Sequence, residues 1–405
     1  MSAARANTDT LKTSVVKEVD AQEARLRRLA LDIHAKPEVA FHEEKACAWL
    51  ADYLQENGFA VDRGICGLST SFKAAYGRGK PTIALVGEYD ALPVIGHGCG
   101  HNLIGTAAAG AGVAVRKALD KLGGTVVVIG TPAEEVYGGK CYMVERGAFD
   151  NLDAAMMIHP GISNAVNVLD TNPGSLAAWP IDIQYYGKSS HASAKPEEGV
   201  NALDAMILAF SGINAMRQQI QSTARIHGII TDGGQAINAI PAHTAASFLV
   251  RAETRRYLEE LKERVVNCFE AAALATGARL EYKWGEGYYL PVLNNLALAR
   301  VFKPNLESLG REVKAKRNEN PTAGRASSDF GNVSQIVAAT SAMISIADPG
   351  TQGHSPEMAA AAASDAGIQG MLDGAKALAM TAIDLLSNPQ ALSEIAKEFQ
   401  AAQKS

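Results

Sequence analysis

The chain has 405 residues, enough for two domains, and 47% of them are hydrophobic, the balance of an ordinary soluble globular protein. A formal net charge of −5 gives no footing for nucleic acid or an anionic membrane surface as a partner. Residues 1–20 are polar and mixed in charge, without the apolar centre of a signal peptide, and no later run is long and apolar enough to span a bilayer. Cys47, Cys66, Cys99, Cys141 and Cys268 are odd in number and widely spaced, which argues against a disulfide framework and for a reducing cytoplasm.

In chain order, residues 20–56 carry a helical pattern with one break at Lys36-Pro37-Glu38 and a stop at Gly58. Thr82–Val86 reads as a buried strand, Leu103–Leu122 as a helix, Thr125–Ile129 as a second buried strand, Tyr142–Gly147 as a short helix, and Ala154–Ile158 as a third strand. Continuous apolar strands alternating with helices predict a mostly parallel sheet covered on both faces, an α/β fold. The texture changes near Ala178. Ile181–Tyr186 (strand), Asn201–Gln221 (helix), Arg225–Thr231 and Ala245–Ala252 (strands), Tyr257–Ala275 (helix) and Leu280–Trp284 (strand) follow in the ferredoxin-like order β-α-β-β-α-β. After Asn294 the pattern returns to helices, a strand over Ala342–Ile346 and one closing helix over Met358–Leu386. We therefore expect one α/β domain from 1–178 and 296–405, with an α+β domain inserted over 179–295.

Three of the apolar strands run into residues of ligand type. After the first come Glu88, Asp90, His97, Cys99 and His101; after the second, Gly130-Thr131-Pro132-Ala133-Glu134-Glu135; after the third, His159-Pro160-Gly161. In open α/β sheets, sites lie beyond the carboxyl ends of the strands, so these groups converge by the logic of the fold. His354 lies a short loop after a fourth strand. Cys99, His101, Glu135, His159 and His354 form a mixed sulfur, nitrogen and oxygen set suited to zinc or a similar ion. The set is too large for one closed tetrahedral ion and suits two ions sharing a carboxylate and a water. Glu134 is placed to move the proton of that water, and Asp90 to orient an imidazole ligand. Each residue alone has a plainer reading. A histidine after a strand is usually a satisfied loop residue, a Glu-Glu pair is usually a solvated helix start, and Cys99 is a small residue suited to burial. Gly96–Gly100 also reads as a phosphate loop, but it lacks the Gly-Lys-Ser/Thr ending.

Gly-His97-Gly-Cys99-Gly-His101-Asn102, Gly-Thr-Pro-Ala-Glu134-Glu135, His159-Pro-Gly and Gly-His354-Ser-Pro-Glu together resemble the co-catalytic zinc aminoacylase/carboxypeptidase G family. Its members include carboxypeptidase G, acetylornithine deacetylase and the auxin-conjugate amidohydrolases. The resemblance spans about His34 to Leu386. It implies a two-ion catalytic domain and an inserted lid or dimerisation domain that makes a homodimer. Its carried-over roles are ligands at Cys99, His101, Glu135, His159 and His354, a general base at Glu134, and an orienting acid at Asp90. It also implies an oxyanion role for His191, within Gly187-Lys188-Ser189-Ser190-His191, and substrate binding by Asn238 and Arg251. The chain departs from the auxin-conjugate branch at Glu88, at Asn102 and at Ser327-Ser328-Asp329-Phe330. There it is closer to the p-aminobenzoyl-glutamate hydrolase and β-alanyl dipeptidase branch.

These readings predict an amidohydrolase with two divalent ions, zinc or manganese, with cobalt able to serve. Its substrate would be an N-acyl amino acid, with an aromatic acyl group in one form, or a dipeptide. The alternatives are an aminohydrolase acting on a small aromatic acid and a metal-binding dimer without turnover. An intact Glu134 speaks against the last, because a structural site needs no base.

Overall fold

The computed structural model describes residues 2–136, 138–166, 175–315 and 326–403. The chain divides into two compact units, Met1–Gly174 with Val292–Asn318 and Asn332–Ser405, and Ser175–Pro291 with Glu319–Gly331. In chain order the strands are β1 (Ala60–Arg63), β2 (Phe72–Arg78), β3 (Thr82–Glu88), β4 (Gly124–Thr131), β5 (Ala154–Gly161), β6 (Ala165–Val166), β7 (Ala177–Tyr186), β8 (Arg225–Asp232), β9 (His243–Ala252), β10 (Arg279–Trp284), β11 (Lys314–Ala315) and β12 (Ala339–Ser345). The helices are α1 (Ser2–Ala21), α2 (Glu23–His34), α3 (Glu44–Glu56), α4 (His101–Leu122), α5 (Gly139–Glu145), α6 (Ala202–Met216), α7 (Arg255–Thr276), α8 (Leu296–Glu307), α9 (Phe330–Ser334), α10 (Pro356–Ala361), α11 (Asp365–Ser387) and α12 (Pro389–Ala402).

In the first unit an eight-stranded sheet has the order β1-β2-β4-β3-β5-β12-β6-β11. Its middle strands β4, β3, β5 and β12 run parallel, while β1, β2 and β6 bring antiparallel pairings. Ile83–Val86, Val126–Ile129 and Ala154–Ile158 are buried because both faces of the sheet are covered. Helix α4 lies close on β3, since a Cβ on Gly105 would come within 2.9 Å of the Glu88 carbonyl oxygen. That approach sets the start of α4 beside the carboxyl end of β3, where the candidate ligands lie.

The second unit holds a four-stranded antiparallel sheet of order β10-β7-β9-β8. Helices α6 and α7 pack on it, and alternate residues of β9 are buried. The connection β7-α6-β8-β9-α7-β10 is the ferredoxin-like arrangement. Its core is separate and includes Ile181, Ile183, Tyr185, Phe248, Val250, Leu261 and Phe269.

Several elements differ from the sequence reading, α1 and α11 among them. Residues 1–20 are read only as polar and mixed in charge, with no helix assigned, yet α1 is helical, and Leu11, Val15 and Val19 at four-residue spacing join the first core. Met358–Leu386 reads as one helix but breaks at 362–364. Ser364 Oγ accepts the Gly367 N–H at 3.1 Å, and this cap starts α11 afresh. Alanine propensity alone carries no trace of that break. Among the described residues, no helix is long and apolar enough to cross a membrane.

Candidate metal centre

The site forms where β3, β4 and β5 end in the first unit. Gly100 precedes His101, has φ +77°, and would place a Cβ 2.8 Å from the Pro160 ring. Only glycine allows that conformation and that approach together, and the approach sets Cys99 and His101 against His159. Cys99 Sγ lies 3.5 Å from His159 Nε2, and the rings of His101 and His159 meet edge to face at 5.9 Å.

Each histidine is oriented by a neighbour. His101 Nδ1–H donates to Asp90 Oδ1 at 2.8 Å, and His159 Nδ1–H donates to the Pro160 carbonyl at 2.8 Å. With Nδ1 engaged in each ring, Nε2 is the nitrogen left to bind an ion once any proton on it is displaced. Glu135 faces two ways: Oε1 is 3.7 Å from His101 Nε2, and Oε2 is 3.3 Å from His354 Nε2. His354 comes from a left-handed position, φ +58°, where its N–H donates to the Gly98 carbonyl at 3.0 Å.

Among the described residues of the first unit, three groups have ligand atoms all within 4.8 Å of one another: Cys99, His101 and His159; Cys99, Glu135 and His354; and His101, Glu134 and Glu135. His101 Nε2 and Glu135 Oε1 are buried without a hydrogen-bond partner. Groups so placed cost free energy unless something coordinates them, and their atom types suit a divalent transition ion. The donor set fits such an ion.

Burial and neighbouring charges set where protons sit in the ion-free site. Burial pushes the Cys99 thiol up to about 12. Burial opposes a proton on His101, but Cys99 and Asp90 together raise it well above the ordinary imidazole range. A site that draws a proton to its centre draws a cation there, and an entering ion displaces protons. Burial likewise opposes a charge on Asp90, yet His101 and the Glu135 N–H hold its carboxyl below the usual range.

Asp90 uses both oxygens, since Oδ2 also accepts the Glu135 N–H at 2.9 Å. Asn offers one acceptor for these two donors. Asp90→Asn therefore lowers ion affinity about 10- to 100-fold, to be read by competition with a chelating dye.

Other candidates lie elsewhere. His97 turns from the cluster: its Nε2–H donates to the Ile33 carbonyl at 3.2 Å, and its ring lies 5.8 Å from His34. Burial, reinforced by His101 and His34, lowers its pKa from 6.5 to about 3. Between those values the unfolded chain binds the extra proton, so the metal-free fold loses stability as pH falls below 6.5. His97→Gln flattens that slope by about one proton, measurable as urea midpoints between pH 4 and 7. Asn102 ties helices together, donating to the carbonyls of Ala30 at 3.2 Å and Ala362 at 3.1 Å. His191, Asn238 and Arg251 belong to the second unit. There the Asn238 carbonyl accepts the Ala192 N–H at 3.1 Å, and Arg251 Nη1 donates to Ser327 Oγ at 3.0 Å.

The sequence reading missed one buried pair beside the cluster. Lys140 Nζ lies 2.6 Å from Glu88 Oε1, with both side chains 0% exposed, and Glu88 Oε2 is 3.6 Å from His101 Nε2. A lysine early in a short helix reads as a surface charge, and only the fold brings it to Glu88.

The family model described as Peptidase family M20/M25/M40 matches residues 84–383. The chain belongs to this family. The Xaa-Arg dipeptidase of Mus musculus is 37% identical over 409 residues, covering 97% of this chain and 93% of the mouse protein. One of the subunits of the p-aminobenzoyl-glutamate hydrolase of Escherichia coli is 31% identical over 452 residues, covering 94% of this chain and 93% of its own. A Bacillus subtilis structure, described as a dinuclear metal binding peptidase from the M20 family, has a TM-score of 0.68 at 20% identity over 91% of this chain and 99% of its own. Membership in M20/M25/M40 makes this chain a hydrolase of peptide or amide bonds.

Proposed function

We propose that this member of M20/M25/M40 cleaves the amide of a dipeptide or an N-acyl amino acid at a site holding two divalent ions, zinc or manganese. The observation that carries the reading is Glu135, whose two oxygens face two different histidines and so suit a shared ligand. Cys99, His101, His159 and His354 supply the remaining donors. Bound ions there supply Lewis-acid activation of water and of the amide carbonyl.

The chain's own residues do the rest. Glu134, buried beside His101 and Glu135, takes the proton from the attacking water and passes it to the leaving nitrogen. Asp90 fixes the His101 tautomer through Nδ1. In the second unit, His191 Nδ1 accepts the N–H groups of Ser193 and Ala194, so its proton sits on Nε2 of an exposed ring. It is thereby equipped to donate to the oxyanion. Arg251 and Asn238 bind the carboxylate or carbonyl of the substrate. We assign the second unit to lid and homodimer contacts, and residues 1–178 with 296–405 to catalysis.

The mouse and E. coli relatives name two substrate types. The test is therefore amine release from dipeptides ending in arginine, from p-aminobenzoyl-glutamate and from N-acyl amino acids, with zinc or manganese supplied. Cleavage of any of these bears the proposal out and locates the acyl preference. An ion-loaded chain that cleaves none of them and releases ammonia from small aromatic acids contradicts it.

A further inference from the structure

We infer that Glu43 is the positioning residue of the turn that carries Glu134 and Glu135. The inference rests on the reading of those two as base and shared ligand. Glu43 stands just before α3 and is 0% exposed, but its carboxyl does not cap that helix. Oε1 instead accepts two backbone N–H groups, from Phe41 at 3.0 Å and from Ala133 at 2.8 Å. Both donors are non-glycine residues in the left-handed region, with φ +62° and +60°. Such a conformation persists only where the surroundings hold it.

Ala133 is held at its other end as well, because its carbonyl accepts the N–H groups of Gly138 at 2.8 Å and Gly139 at 3.2 Å. Beyond Glu134, the Glu135 N–H is held by Asp90 Oδ2 at 2.9 Å. Two buried carboxylates thus pin the residue before Glu134 and the residue after it. The loop bearing Glu43 is itself fastened to the end of β3, where the Ala91 N–H donates to the Glu38 carbonyl at 2.8 Å. Glu43 therefore links the segments that follow β3 and β4, the two that deliver Asp90 and Glu134.

Its second oxygen, Oε2, is buried, and the Thr70 hydroxyl faces the carboxyl. Burial, then the charge of Asp90, lifts the carboxyl to about 7, and Cys47 and Tyr89 also face it. The geometry at Ala133 asks for one acceptor oxygen at the right reach, which an amide supplies as a carboxylate does.

Two conservative variants separate reach from charge. Gln keeps the length and the acceptor; Asp keeps the charge but is one methylene short. At saturating ion, E43D lowers kcat about 100-fold with KM changed less than about twofold, while E43Q stays within about threefold of the parent. Amide exchange at Ala133 loses protection in E43D and keeps it in E43Q. The inference is overturned if both variants keep kcat and Ala133 protection, if both lose them alike, or if E43Q alone is impaired. E134Q run in the same assay separates the layers. Full turnover in E134Q removes the reading of Glu134, whereas a silent E134Q beside an unimpaired E43D removes only the role of Glu43.

Discussion

Glu134→Gln lowers kcat about 10²- to 10⁴-fold, the span expected for removing a general base, while the chain keeps its fold and its ions. Glu134 is nine-tenths buried, and its carboxylate lies within 4.8 Å of the ligand atoms of His101 and Glu135. The other donors number five without it: Cys99, His101, Glu135, His159 and His354. Glutamine has the same shape and keeps an acceptor oxygen, but it cannot hold the proton between its removal from water and its delivery to nitrogen. The measurement is kcat and KM beside ion content. A fall in kcat with ion content intact is the expected pattern. A fall in ion content of equal size makes Glu134 a ligand rather than a base.

Lys140→Met has the largest expected effect on stability. The Lys140–Glu88 pair is fully buried at 2.6 Å. Burial works against a charge on Glu88, but Lys140 and then His101 hold its carboxyl below the usual range. Removing the ammonium leaves a buried carboxylate without that partner, a loss of about 3–5 kcal/mol in comparable cases. Glu88 Oε2 is only 3.6 Å from His101 Nε2, so bound ions offer it a second source of positive charge. The destabilisation is therefore greater in the chelated chain than in the loaded one. Denaturant unfolding with and without ions measures the difference. Adding Glu88→Gln to Lys140→Met recovers much of the loss, because the stranded charge is gone.

The parts of the fold legible in the sequence are those that follow from local pattern. Thr82–Val86, Thr125–Ile129 and Ala154–Ile158 are unbroken apolar runs, and their burial on both faces leaves few alternatives to a parallel sheet. Cys99, His101, Glu134, Glu135 and His159 group together because each follows such a run closely, and strand direction then places them at one edge. His159 itself lies inside β5, which runs on to Gly161. Long-range pairing is not legible in the same way. Lys140 and Glu43 look like ordinary helix-start charges until β3 and β4 bring Glu88 and Ala133 to them. Strands β1 and β2 are inconspicuous because β1 is exposed and only part of β2 is buried, so neither carries a strong apolar run. Helix α1 is hidden because its apolar side is narrow, with Leu11, Val15 and Val19 set among polar residues. For His191, Asn238 and Arg251, the signal is resemblance alone, since an exposed histidine and a strand arginine carry no pattern of their own.

On the proposed mechanism, amide hydrolysis depends on ions held by Cys99, His101, Glu135, His159 and His354. This dependence is tested most directly by stripping the chain with a chelator and titrating zinc or manganese back, counting bound ions while following amine release. A folded, silent chain is expected after stripping, with turnover that returns with filling and is complete at about two ions per chain. Full turnover in the stripped chain, or complete recovery with ions bound after all five ligands are replaced, would contradict it.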